Sequence, residues 1–277
     1  MRIGGDGVWR ATRTPMGTVT THITSDGCGG LTMRAWGDGA AWALDAFPSL
    51  VGADDADEPL DGMDLHPLVA DCRRRLPGLR VGRSQAVVEA LVPTILEQKV
   101  VGIEARRSYA HLVRSLGEPA PGPAGAAGMR VPPAPATLAA TPSYVFHRFG
   151  VERKRADTIR TACTYAARLE ETVSMTAADA RRRLMALPGI GPWSAAEVGM
   201  VALGDADAVS VGDYHLPNQV AWALAGEPRA DDARMLELLE PYRGQRGRVI
   251  RLILNASPVG LPPRRGPRMA LRSIAGM

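Results

Sequence analysis

Apolar positions follow one rhythm near the start of the chain and another over the rest of it. In the first fifty residues they fall in short runs, Val8 to Thr14, Thr18 to Ser25 and Gly30 to Trp36, rich in Thr, Val, Ile and Trp. Pro15-Met16-Gly17 and Asp26-Gly27-Cys28-Gly29 separate them as turns, so the pattern predicts a small antiparallel sheet. Ala40 to Leu50 reads as a helix against that sheet. From about Leu65 the apolar residues recur at three- and four-residue spacing, which predicts helices over 65–75, 84–98, 102–116, 152–170, 176–187, 192–203, 215–225, 231–241 and 245–255. Three segments lack such a pattern. Gly52 to Gly62 is an acidic linker, Glu118 to Pro135 is Pro/Gly/Ala-rich and reads as a mobile loop, and Pro258 to Met277 is a Pro/Arg-rich tail. The fold class predicted is α+β, predominantly α, divided into a small N-terminal domain (1–60), a helical region (61–256) and the tail (257–277).

Composition narrows the class of protein. With 45% hydrophobic and 22% charged residues in 277, the chain has an ordinary globular make-up, and no apolar run approaches the ~18 residues of a membrane span. Met1 to Trp9 is glycine-rich and polar, unlike a secretory leader, so a cytoplasmic protein is expected. Cys28, Cys72 and Cys163 lie far apart in no ligand-like spacing, which argues against a zinc or iron–sulfur site; no metal is expected. The net charge of +4 is matched by the tail alone, where Arg264, Arg265, Arg268 and Arg272 stand without an acid. Attraction to a polyanion must therefore come from local patches.

One stretch names a chemistry. Leu184, Leu187 and the preceding Arg181-Arg182-Arg183 read as a helix end, with Gly189 as the left-handed stop. Gly191 then caps a second helix, and Pro192 sits in its first turn, where a missing N–H costs nothing. Such a Gly-x-Gly hairpin, Leu187-Pro188-Gly189-Ile190-Gly191, turns backbone N–H groups outward at a helix N-terminus, a nest for phosphate that reads no sequence. Twenty residues after Trp193 comes Asp213-Tyr214-His215. Asp213 fits a cap of the helix that follows and equally a carboxylate facing a developing positive charge.

Leu-Pro-Gly-Ile-Gly followed by an acid at this spacing resembles the helix-hairpin-helix DNA glycosylase superfamily. The Asp213-Tyr214 pair and Trp193 resemble most its 3-methyladenine DNA glycosylase II branch. Ile95-Leu96-Glu97-Gln98, Phe149 to Ala156 and Pro241 to Arg246 fit that branch in order, so the resemblance runs from about residue 65 to 256. It implies a two-lobed helical region with Asp213 in its cleft, acting on a base flipped out of double-stranded DNA. The expected reaction is hydrolysis of the N-glycosidic bond of an alkylated purine: 3-methyladenine, with 7-methylguanine or hypoxanthine as further substrates. Trp193 stands where lyase-competent relatives carry a nucleophilic lysine, so a monofunctional enzyme is implied, with Lys99 the amine on which a lyase alternative would rest.

Trp193 and Tyr214 offer aromatic faces to a cationic base. Glu197 and Arg251 fall where the branch has aromatics. The Gln98-Lys99 turn is the implied wedge that fills the space of the flipped nucleotide. Arg153, Lys154, Arg155, Arg243, Arg246 and Arg248 are candidate phosphate contacts. No cofactor is implied beyond a monovalent cation held structurally by the hairpin carbonyls. A monomer is the default. The alternatives are a glycosylase of this fold for oxidised or mismatched bases, and a non-catalytic damage-binding protein.

Overall fold

The structure is a computed structural model that describes residues 1–56 and 58–263; the four arginines of the tail lie outside the described residues. Contacts group Met1–Leu50 with Ala86–Glu171 in one unit, and Val51–Gln85 with residues 172–263 in a second. This grouping differs from the boundary near residue 60 expected from sequence, because the N-terminal sheet shares its packing with a later helical segment.

The sheet of the first unit has the order β1-β2-β3-β4, antiparallel throughout, from Arg2–Gly4, Gly7–Thr14, Gly17–Ser25 and Leu31–Trp36. Thr14 pairs with Gly17, which leaves Pro15-Met16 as a two-residue turn. Glu89 ties the sheet to the helix Val87–Glu97: it accepts from Thr12 Oγ1 at 2.5 Å and from Arg10 Nη2 at 3.0 Å. The first-turn amides of that helix, Val87 and Val88, donate to the carboxylate of Glu170, both at 2.9 Å. A remote acid thereby does the work of an N-cap.

Glu118–Pro135 is not the mobile loop its composition suggests. Glu118–Pro119 pairs with Arg130–Val131, and a short helix, Pro123–Ala126, bridges them. Ala120, Ala124 and Val131 are buried with Trp9 and Ala11 on the sheet. Small residues are required here rather than merely permitted, since a Cβ on Gly122 (φ +67°) would lie 2.6 Å from Trp36 Cγ. Flexible-looking composition is in this case the composition of close packing against indole rings. The strand Arg2–Gly4 and the helices Pro135–Ala140 and Ser143–His147 are too short to show a period in sequence, and Ala40–Leu50 divides into Ala40–Asp45 and Phe47–Val51.

The second unit packs the helices Pro67–Arg75, Leu216–Ala225, Asp232–Leu239 and Arg246–Ala256 around Val69, Cys72, Val209, Val220, Met235, Tyr242, Val249 and Ile253. Asp55, in the expected acidic linker, is instead a buried partner of Arg248. Arg248, 1% exposed, forms a two-pronged ion pair with it, 2.7 Å at Nη1, and also donates to Gln245 Oε1 and Ala56 O. Val81 N–H completes the shell of Asp55 at 2.7 Å. Burial by itself would raise the Asp55 pKa, but the hydrogen bonds from Arg248 and Val81 and the Arg248 charge outweigh it and hold the carboxyl below its ordinary value.

Arg248→Met should destabilise the protein by about 3–5 kcal/mol, because it leaves a buried carboxylate uncompensated. The folded Asp55 titrates below its unfolded value of about 3.9, so its stabilisation is complete above about pH 4 and is lost as pH falls through the lower folded pKa. Urea titrations from pH 3 to 7 check both; equal stability of the two proteins at pH 7 would refute the assignment.

Candidate active site

The hairpin is set by its own backbone bonds. The helix Ala177–Met185 starts on Thr176, whose hydroxyl accepts from Asp179 N–H, and ends at Ala186. Leu187 to Ile190 then form a turn closed by Ile190 N–H on Leu187 O at 3.1 Å. Pro188 and Gly189 (φ +88°) occupy its two central positions, the Pro-Gly order that suits φ < 0 followed by φ > 0. Gly189 is therefore a turn residue and not the helix stop expected from sequence. Pro188 and Gly189 are exposed, while buried Ile190 anchors the turn. Gly191 (φ −103°) leads into the helix Pro192–Val198, and a Cβ there would meet open space. The same helix continues as wider π turns over Gly199–Leu203, a form that recurs at functional sites.

Asp213 lies at the end of the loop that follows. Its Oδ1 accepts from the backbone N–H of His215 (2.7 Å) and Leu216 (2.8 Å), and its Oδ2 from the indole N–H of Trp193 (3.1 Å). The cap reading is thus correct, and the same bonds fix the carboxylate at the positive end of the helix Leu216–Ala225. An ionised carboxylate has roughly four acceptor positions. Three are filled within this unit, which leaves room for about one further proton donor.

The loop itself is pinned along its length. Gly204 (φ +71°) ends the π turns, Asp205 N–H returns to Gly199 O, and Arg248 N–H donates to Ala206 O at 2.9 Å. Asp207 receives Gly244 N–H, Arg246 N–H and the two-pronged Arg246 guanidinium, at 2.5 Å to Oδ2. Burial pushes the Asp207 pKa up, and these bonds more than reverse it. Val209 is buried in the core, Ser210 O receives Asp213 N–H at 3.2 Å, and Asp232 Oδ2 receives Gly212 N–H at 3.0 Å. Gly247 permits this packing, since a Cβ there would lie 2.4 Å from Met200 Cε and 2.6 Å from Ala208 O.

The remaining expected residues divide. Trp193 is half-buried and joined to Asp213, whereas Tyr214 is 83% exposed and its ring meets the edge of His215, at 4.8 Å between ring centroids. Glu197 is half-buried and accepts from Ser210 Oγ, so it is not a surface residue. Gln98 and Lys99 end the helix Val87–Glu97 in the first unit, and exposed Lys99 takes a left-handed backbone (φ +57°), unusual for a residue with a side chain.

Arg155 and Arg248 are not phosphate contacts. Arg155 is 6% exposed and donates to Leu96 O at 2.7 Å, one turn before Lys99; Arg248 is bound to Asp55. Arg246 is committed to Asp207, while Arg153 and Lys154 are exposed. Exposed Arg243 pairs with Glu240. Burial raises the Cys163 thiol to about 12 and also raises Cys72, which leaves neither as a nucleophile at neutral pH. Ser210, Asp207 and Gly247 were not anticipated from sequence. Their roles arise from contacts between distant segments, and only the glycine between Arg246 and Arg248 marks a close approach in the sequence itself.

No protein-family model matches the sequence. The probable bifunctional transcriptional activator/DNA repair enzyme AlkA of Mycobacterium tuberculosis is 30% identical over 146 residues, 51% of this chain and 28% of that protein. The chain thus spans under a third of the length of the curated relative it matches. Among solved structures, a 3-methyladenine DNA glycosylase from Archaeoglobus fulgidus superposes with a TM-score of 0.74 at 19% identity, over 89% of this chain and 85% of that one. The chain has the fold of the helix-hairpin-helix DNA glycosylases. An 8-oxoguanine glycosylase/lyase from Clostridium acetobutylicum, in complex with double-stranded DNA, matches the same glycosylase fold with a TM-score of 0.67 at 14% identity, over 88% and 85% of the two chains.

Gly247→Ala should lower stability by roughly 1–3 kcal/mol, since two backbone carbonyls and a methionine must give way. Gly191→Ala has open space and an ordinary φ and should stay within about 0.5 kcal/mol of the parent. Thermal denaturation of the two variants ranks them; the reverse order would contradict the loop packing described.

Proposed function

We propose that this protein is a monofunctional DNA glycosylase that hydrolyses the N-glycosidic bond of an alkylated purine flipped from duplex DNA. The observation that carries the reading is the Asp213 carboxylate, held by two backbone amides and by the indole N–H of Trp193, the second residue of the helix that leaves the hairpin. Departure of the base leaves positive charge on the deoxyribose. A carboxylate already fixed by three donors offers its charge to that state with little reorganisation, and its remaining acceptor capacity suits a water positioned for attack on C1′.

Trp193 supports the hydrolytic, lyase-free form of the reaction, because an indole cannot form a Schiff base with the sugar. Its ring also offers an electron-rich face to a base methylated at N3 or N7, worth of order 0.5–2 kcal/mol. The exposed Pro188-Gly189 tip would hold DNA backbone, Gln98-Lys99 would fill the gap left by the flipped nucleotide, and a monovalent cation at the hairpin carbonyls would assist binding alone. The partner is double-stranded DNA. The protein acts as a cytoplasmic monomer in this reading; no described helix is long and apolar enough to cross a membrane. The second reading, excision of an oxidised base, rests on the likeness to the 8-oxoguanine glycosylase/lyase.

Incubation with methylated duplex DNA tests the proposal. Free methylpurines should appear while the strands stay intact until alkali is added. Strand cleavage without alkali that disappears in Lys99→Gln would replace the monofunctional assignment with a lyase. Release of 8-oxoguanine and of no methylpurine would favour the second reading.

A further inference from the structure

The helix Val87–Glu97 is ended by a side chain that lies far from it in the sequence. Gln98 N–H turns back to Ile95 O at 3.2 Å, and the Gln98 backbone is extended (φ −60°, ψ 119°). Lys99 follows in the left-handed region (φ +57°), and Val100 N–H reaches Glu97 O at 3.5 Å. Residues 97–100 thus form a type II turn, with a lysine at the position where glycine or asparagine is the ordinary choice. Of the four, Lys99 is the exposed one.

In a continuing helix the amide of Val100 would donate to Leu96 O, four residues back. Here Arg155 Nη1 takes that carbonyl at 2.7 Å, from the first turn of the helix Arg153–Thr164. The guanidinium stands in for the missing amide and brings a positive charge to the negative end of the helix Val87–Glu97. Arg155 is 6% exposed, so it acts through the turn and not on a bound molecule. Its Nε has no hydrogen-bond partner among the described residues, and the nearest carboxylate, that of Glu152, is 3.5 Å away on a side chain more than half exposed. Arg248 differs: all three of its nitrogens meet acceptors. A buried guanidinium with an idle donor contributes little to stability for its own sake. What this one secures is a single carbonyl, three residues before Lys99.

We propose that Arg155 is a positioning residue for base flipping: by holding Leu96 O it stops the helix and sets the Gln98-Lys99 turn in the conformation that enters the duplex, an inference that rests on the glycosylase reading above. Flipping a paired base gives up stacking and pairing, and a turn already shaped fills the gap without first having to be ordered. Without Arg155, Leu96 O is open to Val100 N–H, the helix can run on, and Lys99 leaves a conformation that its Cβ disfavours. The chemistry at Asp213 involves none of these groups.

The test uses an oligonucleotide methylated at its single purine. It is annealed to its full complement, or to a complement with an abasic-site analogue opposite that purine, where flipping breaks no base pair. The ratio of the two initial release rates, paired over unpaired, isolates the flipping step, because the folded fraction and the rate of bond cleavage cancel in it. Arg155→Met keeps the apolar stem and removes the donors, and its ratio should fall by at least about 10-fold below wild type. Arg155→Lys keeps one cationic donor on a different head group, and its ratio should fall by roughly 3-fold. An unchanged ratio in Arg155→Met overturns the inference and leaves the glycosylase reading in place; should that variant not fold, an unchanged ratio in Arg155→Lys does the same. Release of the base from neither duplex, by wild type, removes both.

Discussion

The candidate site depends on one carboxylate and the three donors that hold it. Asp213 accepts two amides from the first turn of a helix and one indole N–H from another, and hydrogen bonds to a charged acceptor contribute on the order of 1.5–3 kcal/mol each. A side chain fixed in this way is organised before any substrate arrives. That is what electrostatic catalysis requires, because reorientation at the moment of reaction would consume the benefit. The cap and the proposed catalytic role do not compete, since the amides that satisfy the helix end also define where the charge sits.

Fixing the side chain would achieve little if its loop moved. Between Gly204 and Asp213 the chain has no regular structure, yet Ala206 and Asp207 are tied to the helix Arg246–Ala256, Ser210 to Pro192–Val198 and Gly212 to Asp232–Leu239. Two ion pairs, Arg246 with Asp207 and Arg248 with Asp55, fasten the start of the helix Arg246–Ala256. The side-chain-free approach at Gly247 lets that helix lie against the loop. Arginines that look like DNA contacts in sequence are thereby spent on building the platform. Arg155 does the same in the first unit, donating to the carbonyl one turn before the strained Lys99.

What the sequence revealed follows from the range of each interaction. The long helices, the three main strands and the hairpin were legible because their signals are local: spacing, turn residues, a Pro-Gly pair. Asp213 was legible because the hairpin and the acid are close in sequence. Segment 118–135 was misread because its small residues carry meaning only against Trp9 and Trp36, which lie far away in the chain. Asp55 and Arg248 are separated by nearly two hundred residues, and no local pattern announces a buried pair at that distance. Glu197 was visible as a departure from a resemblance; only its bond from Ser210 Oγ, thirteen residues on, shows what it holds.

The most direct measurement is base release and DNA binding by Asp213→Asn. Asparagine keeps the volume and an oxygen to cap the helix but turns an NH2 group toward the Trp193 N–H, so the variant should fold with reduced stability, and its affinity for a duplex carrying an abasic-site analogue should match the wild type at the same salt concentration. Excision, deprived of the charge opposite the sugar, should fall by at least about 100-fold. Undiminished excision by a folded Asp213→Asn protein would contradict the account, because the carboxylate would then be a helix cap and nothing more.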